Sequence, residues 1–251
     1  MYSEILPLKE EPPMRNNFKI IYRKEVQSFF NSPVAYITLV VFLLINAWFF
    51  TSTFFLINES DLRMLFTVAP IVFIFFIPAI TMGMIAKEKN SGTLEFITTL
   101  PFSDAEIVIA KFLAALTLVA TALLFTTVHF ITLLIVGNNI DVGALISGYL
   151  GLLLVGAAYT AIGTFGSSVT DNQITAFIIS FLIIFILFIL DKILMFVPGF
   201  LSSLLQYLSI DYHLSNISRG VIDSRNLVYL GSIILFFLLM SIRVVEMRKW
   251  R

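Results

Sequence analysis

The side chains best suited to acid–base or metal chemistry in this sequence are two histidines, His129 and His213, and the few carboxylates and lysines around them. His129 stands in a long apolar stretch, where an imidazole could relay protons; a lone His hydrogen-bonded to a neighbouring helix is the simpler reading. His213, with Asp211 and Asp223 nearby, has the donor types of a metal site, yet the three are scattered through a long loop without ligand spacing. Met82 and Met84 flank Gly83 and suit soft packing better than copper ligation. Asp191 and Lys192 are sequence neighbours, which assigns them to different helix faces, and their place at the end of an apolar run fits an interface. No H-E-x-x-H, G-x-S-x-G or G-x-x-x-x-G-K-[ST] pattern occurs, and cysteine is absent. The chain therefore carries no recognisable constellation for hydrolysis, P-loop nucleotide binding or thiol chemistry, and we expect a non-catalytic protein with no metal site of its own.

The elements that hold these residues are almost wholly apolar. Hydrophobic residues make up 59% of the 251 and charged residues 13%, against about a quarter charged in a soluble domain; mean hydropathy is +0.96. Runs such as 177–190 are almost continuously apolar, which fits helices of about 20 residues crossing a bilayer and not the short alternating strands of a barrel. The sequence predicts an all-α membrane protein with six spans, at about 34–57, 65–86, 106–136, 143–168, 174–197 and 227–246. The third exceeds one crossing, so it should tilt or project. Its start carries Ser-Asp-Ala-Glu, a capping box in which Ser103 caps and Glu106 reaches back. Small residues recur every fourth position in the fourth span, at Gly143, Ser147 and Gly151 and again at Gly156, Thr160, Thr164 and Ser168, a spacing that lets helix backbones approach closely in lipid.

Residues 1–15 read as a disordered tail without the pattern of a cleaved signal peptide, so the first span is expected to act as the insertion signal. Residues 16–32 form an amphipathic helix, apolar at 18, 21, 22, 26, 29 and 30, with Lys19, Arg23, Lys24 and Gln27 opposite. That pattern suits a helix lying on the membrane surface against lipid, ended by Pro33. The remainder, 33–251, is one six-span domain with a polar loop at 87–105 and a cap at 198–226, where Leu201, Leu204, Leu205 and Leu208 fall at helical spacing. Formal net charge is zero, so no global field favours nucleic acid. With the N-terminus inside, twelve Lys and Arg fall on the cytoplasmic side and Arg63, Lys192, Arg219 and Arg225 outside, which makes both termini cytoplasmic.

The loop then faces the cytoplasm. Its sequence is KEKNSGTLEFITTLPFSD at 87–104. After a turn permitted by Gly92, residues 93–100 can form a two-turn helix with Leu94, Ile97 and Leu100 on one side and Glu95, Thr98 and Thr99 on another, closed by Pro101. A short rigid helix held by a partner transmits motion that a flexible loop would absorb, with Glu88 and Glu95 as the polar contacts. The short Thr-Asp-Asn-Gln turn at 170–173 faces the same side and offers a smaller second contact.

The segment from Glu88 through Gly92, Thr93 and Glu95 to Pro101 and Lys111 resembles the E-x-x-x-G-T-x-E … P … K signature of ABC-2 type transporter permeases, and the order of elements along the whole chain is similar. FFNSPVAYI (29–37), IPAITM (77–82), AAYTAIG (157–163), DNQITAF (171–177), NISRGVIDSRNLVYL (216–230) and the basic end RKWR look most like the gliding-motility-associated permease type. This resemblance implies a type V exporter-like fold and a coupling helix at Glu88, Gly92, Thr93, Leu94, Glu95, Ile97 and Pro101. It also implies two cytoplasmic ATPase subunits that hold ATP and Mg²⁺, a second permease chain, identical or related, and room for a periplasmic or auxiliary membrane partner. Rival readings are an ATPase-driven mechanical or assembly complex without small-molecule flux, and an autonomous secondary transporter. The latter would need the buried ionisable groups that the spans largely lack.

Overall fold

The computed structural model describes residues 14–57, 61–94, 102–137, 140–194 and 198–247. The tail 1–13 and residues Glu95, Ile97 and Pro101 of the expected coupling helix lie outside them. Helix α1 (Met14–Phe30) takes Met14 and Arg15 from the expected tail. Pro33 occupies the first turn of α2 (Pro33–Thr51), where its missing N–H costs nothing, and a π-helical turn, Ser52–Ile57, extends that span. Helix α3 (Arg63–Thr81) contains Pro70 and Pro78 and is followed by α4 (Ala86–Asn90). The long helix α5 (Asp104–Val136) opens on the expected capping box: Glu106 N–H donates to Ser103 Oγ at 3.2 Å, and Ser103 N–H donates to Glu106 Oε2 at 2.9 Å. Then come α6 (Val142–Val169), capped by Asp141, and α7 (Gln173–Ile193), capped by Asn172. The last span is α10 (Ser224–Met247), reached through α8 (Gly199–Leu208) and α9 (Ile210–Ser218). Six helices are long and apolar enough to cross a membrane, and no strand occurs among the described residues.

Burial divides the spans into two sets. α3, α5 and α6 are mostly enclosed, whereas α2, α7 and α10 turn rows such as Val40, Leu44 and Trp48, or Ile178, Leu182 and Ile186, outward. An outward apolar surface of this extent is compatible with lipid and not with water. α6 is the hub, because a different neighbour lies against each of its small residues. A Cβ at Gly148 would run into the Phe66 ring of α3, at Gly156 into Val119 of α5 (2.8 Å), at Gly151 into Leu214 of α9 (2.9 Å), at Gly163 into Thr81 and at Gly166 into Ser180 of α7. Thr160 and Thr164 are fully buried and turn their hydroxyls back onto Gly156 O (2.7 Å) and Thr160 O (2.8 Å), so they pack as small residues with no cross-helix bond. The four-residue spacing found Gly151 and Gly156 but passed over Gly148, Gly163 and Gly166. Gly143, which it included, meets only its own cap Asp141.

The cap holds two helices, not one. Ile210, His213, Leu214 and Ile217 are buried at i, i+3, i+4 and i+7, an apolar stripe hidden from sequence reading by the polar residues between them. His213 is a structural residue. Its Nδ1 meets Asn226 Oδ1 at 2.7 Å, its Nε2 meets Tyr207 O at 2.8 Å, and its ring stacks on Tyr229 at 4.0 Å. Asp211 instead binds Lys192 at 2.7 Å, and Asp223 caps α10 through Arg225 N–H, so the expected scatter of the three holds. The sequence argument that kept Asp191 and Lys192 apart fails in part. The long lysine stem bends back to Asp191 at 3.4 Å while making its shorter bond across to the cap. His129 stacks on Phe50 at 4.5 Å, so the hydrogen bond expected of it is replaced by a ring contact.

Two glycines separate packing from propensity. Gly163→Ala forces a methyl into Thr81 and should cost ~1–3 kcal/mol, the usual price of overpacking. Gly231→Ala, with nothing within 4 Å of its Cβ, should be neutral or stabilising by a few tenths to ~1 kcal/mol. Apparent Tm values of the two purified variants in one detergent test this; a Gly163→Ala protein melting with wild type refutes the hub assignment.

Candidate coupling site

Pro78 has no N–H to donate and its ring crowds the preceding turn, and α3 ends three residues later. The chain passes through a turn at Met82–Ile85 before helix resumes in α4. Such an interruption frees backbone groups that would be costly to bury unpaired. Here a single side chain from α6 resolves it. Ser167 Oγ accepts from Ile85 N–H (2.9 Å) and Ala86 N–H (3.1 Å) and donates to Met82 O (3.1 Å). Next to it, Lys89 Nζ donates to Ser168 O, and Gln173 at the start of α7 lies against Gly83. Little in the sequence points to Ser167, since its partners are backbone atoms about eighty positions away.

The other side of α4 is held by charge. Lys111, on the second turn of α5, is only 1% exposed, yet it reaches Glu88 Oε1 at 2.8 Å and Glu25 Oε1 of α1 at 3.0 Å. Lys24 approaches the same two oxygens at 4.0 and 3.8 Å, giving two positive and two negative charges in one neutral group. A buried ammonium is tolerated only with such close compensation. Glu88, expected as a contact for a partner protein, turns inward and is committed to this cluster. The amphipathic α1, expected on the membrane surface, packs Ile21 against Ile107 and Ala110 of α5 and hydrogen-bonds Tyr22 Oη to Thr117 Oγ1 at 2.7 Å. Its Lys19 and Arg23 remain exposed.

Beyond α4 the backbone turns at Gly92, whose φ of +70° lies in the left-handed region that glycine enters without a Cβ clash. Ser91 Oγ donates to Lys87 O at 3.0 Å, and Ser91 and Thr93 share a hydroxyl contact at 2.9 Å, closing the end of α4. Leu94 then drops into the main core at 1% exposure. The expected hydrophobic side of the coupling helix thus has its first residue anchored. No group of three or more His or carboxylates suited to a metal occurs among the described residues.

Lys111→Met should lower the apparent Tm strongly, because two carboxylates are left facing each other; loss of one partner of a buried pair costs ~3–5 kcal/mol, less here by the partial exposure of Glu25 and Glu88. The triple change Glu25→Gln, Lys111→Met and Glu88→Gln should recover a large part of that loss. Equal melting of the single and triple variants would show that the cluster is not coupled.

No curated protein matches the chain. A family model described as ABC-2 family transporter protein matches residues 19–217 of the 251, from α1 through the break after α3 and the hub helix into the cap. With that match and six apolar helices, this chain belongs to the ABC-2 transporter family, as a membrane subunit of an ABC system.

Proposed function

We propose that this subunit is the permease of an ABC exporter in the bacterial cytoplasmic membrane, with both termini cytoplasmic, and that residues 86–101 are its coupling element. Two ATPase subunits, which would hold ATP and Mg²⁺, engage this element, and a second permease chain, identical or related, completes the complex. The closer resemblance to gliding-motility-associated permeases makes cell-envelope export or motility the expected setting, with the cap of α8 and α9 open to an auxiliary partner.

One observation carries the reading: the stretch from Met82 to Leu94 is fixed on two sides, by Ser167 of α6 and by Lys111 of α5. A push delivered at 95–101 would pass through a rigid element into three spans at once. A solvated loop would dissipate the same push. In this reading Glu95, Ile97 and Thr93 are the residues presented to the ATPase, while Glu88, Gly92 and Leu94 keep the element in register.

The test is purification from native membranes in mild detergent, with copurifying proteins identified. Wild type should bring down an ATP-binding cassette ATPase, Glu95→Ala should deplete it several-fold, and Gly92→Ala should retain the fold but reduce ATPase capture, since a Cβ at that φ costs ~1–2 kcal/mol. Gly92→Asn should be milder. Wild-type protein that brings down no ATPase overturns the proposal.

A further inference from the structure

Along the contact between α1 and α5 runs a groove of about 380 Å³, lined by Phe18 and Tyr22 of α1, Leu113, Leu116, Thr117 and Ala120 of α5, and Leu153 of α6. That is within the ~300–1,000 Å³ range of small-molecule clefts. Its lining is almost entirely apolar. The two hydroxyls present, Tyr22 and Thr117, satisfy each other at 2.7 Å and offer little to a polar ligand. Phe18 and Tyr22 are one turn apart with rings nearly parallel, 6.5 Å between centroids and 6° between planes, so they stack along one side of the groove.

The rim differs in kind. Lys19 and Arg23 follow Phe18 and Tyr22 by one residue each, so they form a cationic row about 100° round α1 from the aromatic row. Both are exposed, and neither has an ion-pair partner among the described residues. The nearest acid on that helix, Glu25, is turned away to Lys111, and Lys24 is drawn to the same cluster. The charge left on the exposed side of α1, next to the row that lines the groove, is therefore positive. An apolar slot between membrane helices, flanked by an exposed cationic row on α1, is complementary to one chemistry: an acyl chain joined to an anionic headgroup.

We infer that the groove between α1 and α5 holds an anionic phospholipid, its chain along Phe18, Leu113, Leu116 and Ala120 and its phosphate at Lys19 and Arg23. The lipid fills the space beside α1 and so bears on the helix that carries Glu25. This site does not depend on which ATPase or cargo the complex uses.

The test is native mass spectrometry of full-length protein, released from nanodiscs of phosphatidylcholine mixed with phosphatidylglycerol, counting retained lipid of each kind. Wild type should keep phosphatidylglycerol over phosphatidylcholine by about thirtyfold, the scale of two basic residues near an anionic surface. Lys19→Gln with Arg23→Gln should abolish the preference. Leu116→Trp, which fills the groove and leaves the rim charged, should reduce retention of both lipids. Equal retention of the two lipids by wild type, or unchanged retention in both variants, overturns the site. So does a Leu116→Trp protein whose only change is its oligomeric state, because the groove would then be a contact between copies.

Discussion

The fold depends on how closely other helices approach the fourth span. Lipid supplies no hydrophobic drive between helices, so association in the membrane rests on packing distance and on the few polar bonds that distance permits. α6 meets this constraint with Gly148, Gly151, Gly156, Gly163 and Gly166, each beneath a side chain of another helix. The larger residues come from the neighbours. Phe66 and Thr81 of α3, Val119 of α5, Leu214 of α9 and Ser180 of α7 fill the concavities, so four elements converge on one axis, and Ser167 and Ser168 at its end become available to the interrupted second span.

That convergence explains why a broken helix and a buried lysine can coexist on the two sides of α4. The interruption after Pro78 exposes amides, and Lys111 introduces a charge; each would be costly in isolation. Ser167 answers the first through three hydrogen bonds, and Glu25 with Glu88 answers the second at 3.0 and 2.8 Å. Both solutions require partners distant in sequence to sit at bonding distance. A rigid base for the proposed coupling element is the result, and it would not exist if α1 lay free on the bilayer surface.

Much of this was legible in the sequence where local rules decide. Hydropathy located six spans, the Ser-Asp-Ala-Glu run marked the start of α5, and Gly92 marked a turn that its positive φ bears out. What escaped were relations between distant segments. Glu88 read as an outward contact because nothing near it reveals Lys111 or Glu25. Ser167 was passed over since backbone acceptors and donors leave no trace in side-chain spacing. The second cap helix was obscured for another reason: with Asp211, Tyr212, Ser215 and Asn216 between its buried positions, its stripe resembles a polar loop until it has a core to face. Adjacent Asp191 and Lys192 show the opposite error, in which a rule for helix faces underestimates the reach of a lysine stem.

The position of the hub along the chain bears on how the protein is made. During synthesis α2, α3 and α5 emerge before α6 exists, so the first half of the molecule enters the membrane without the surface it will pack on. Thr81 and the interrupted turn after it must wait for Gly163 and Ser167. The ion cluster needs no such delay, because Glu25, Glu88 and Lys111 all precede the hub. The chain order thus permits biogenesis in two stages: an electrostatic pairing of α1, α4 and α5 that can form while the ribosome is still elongating, and a consolidation that must wait for the fourth span.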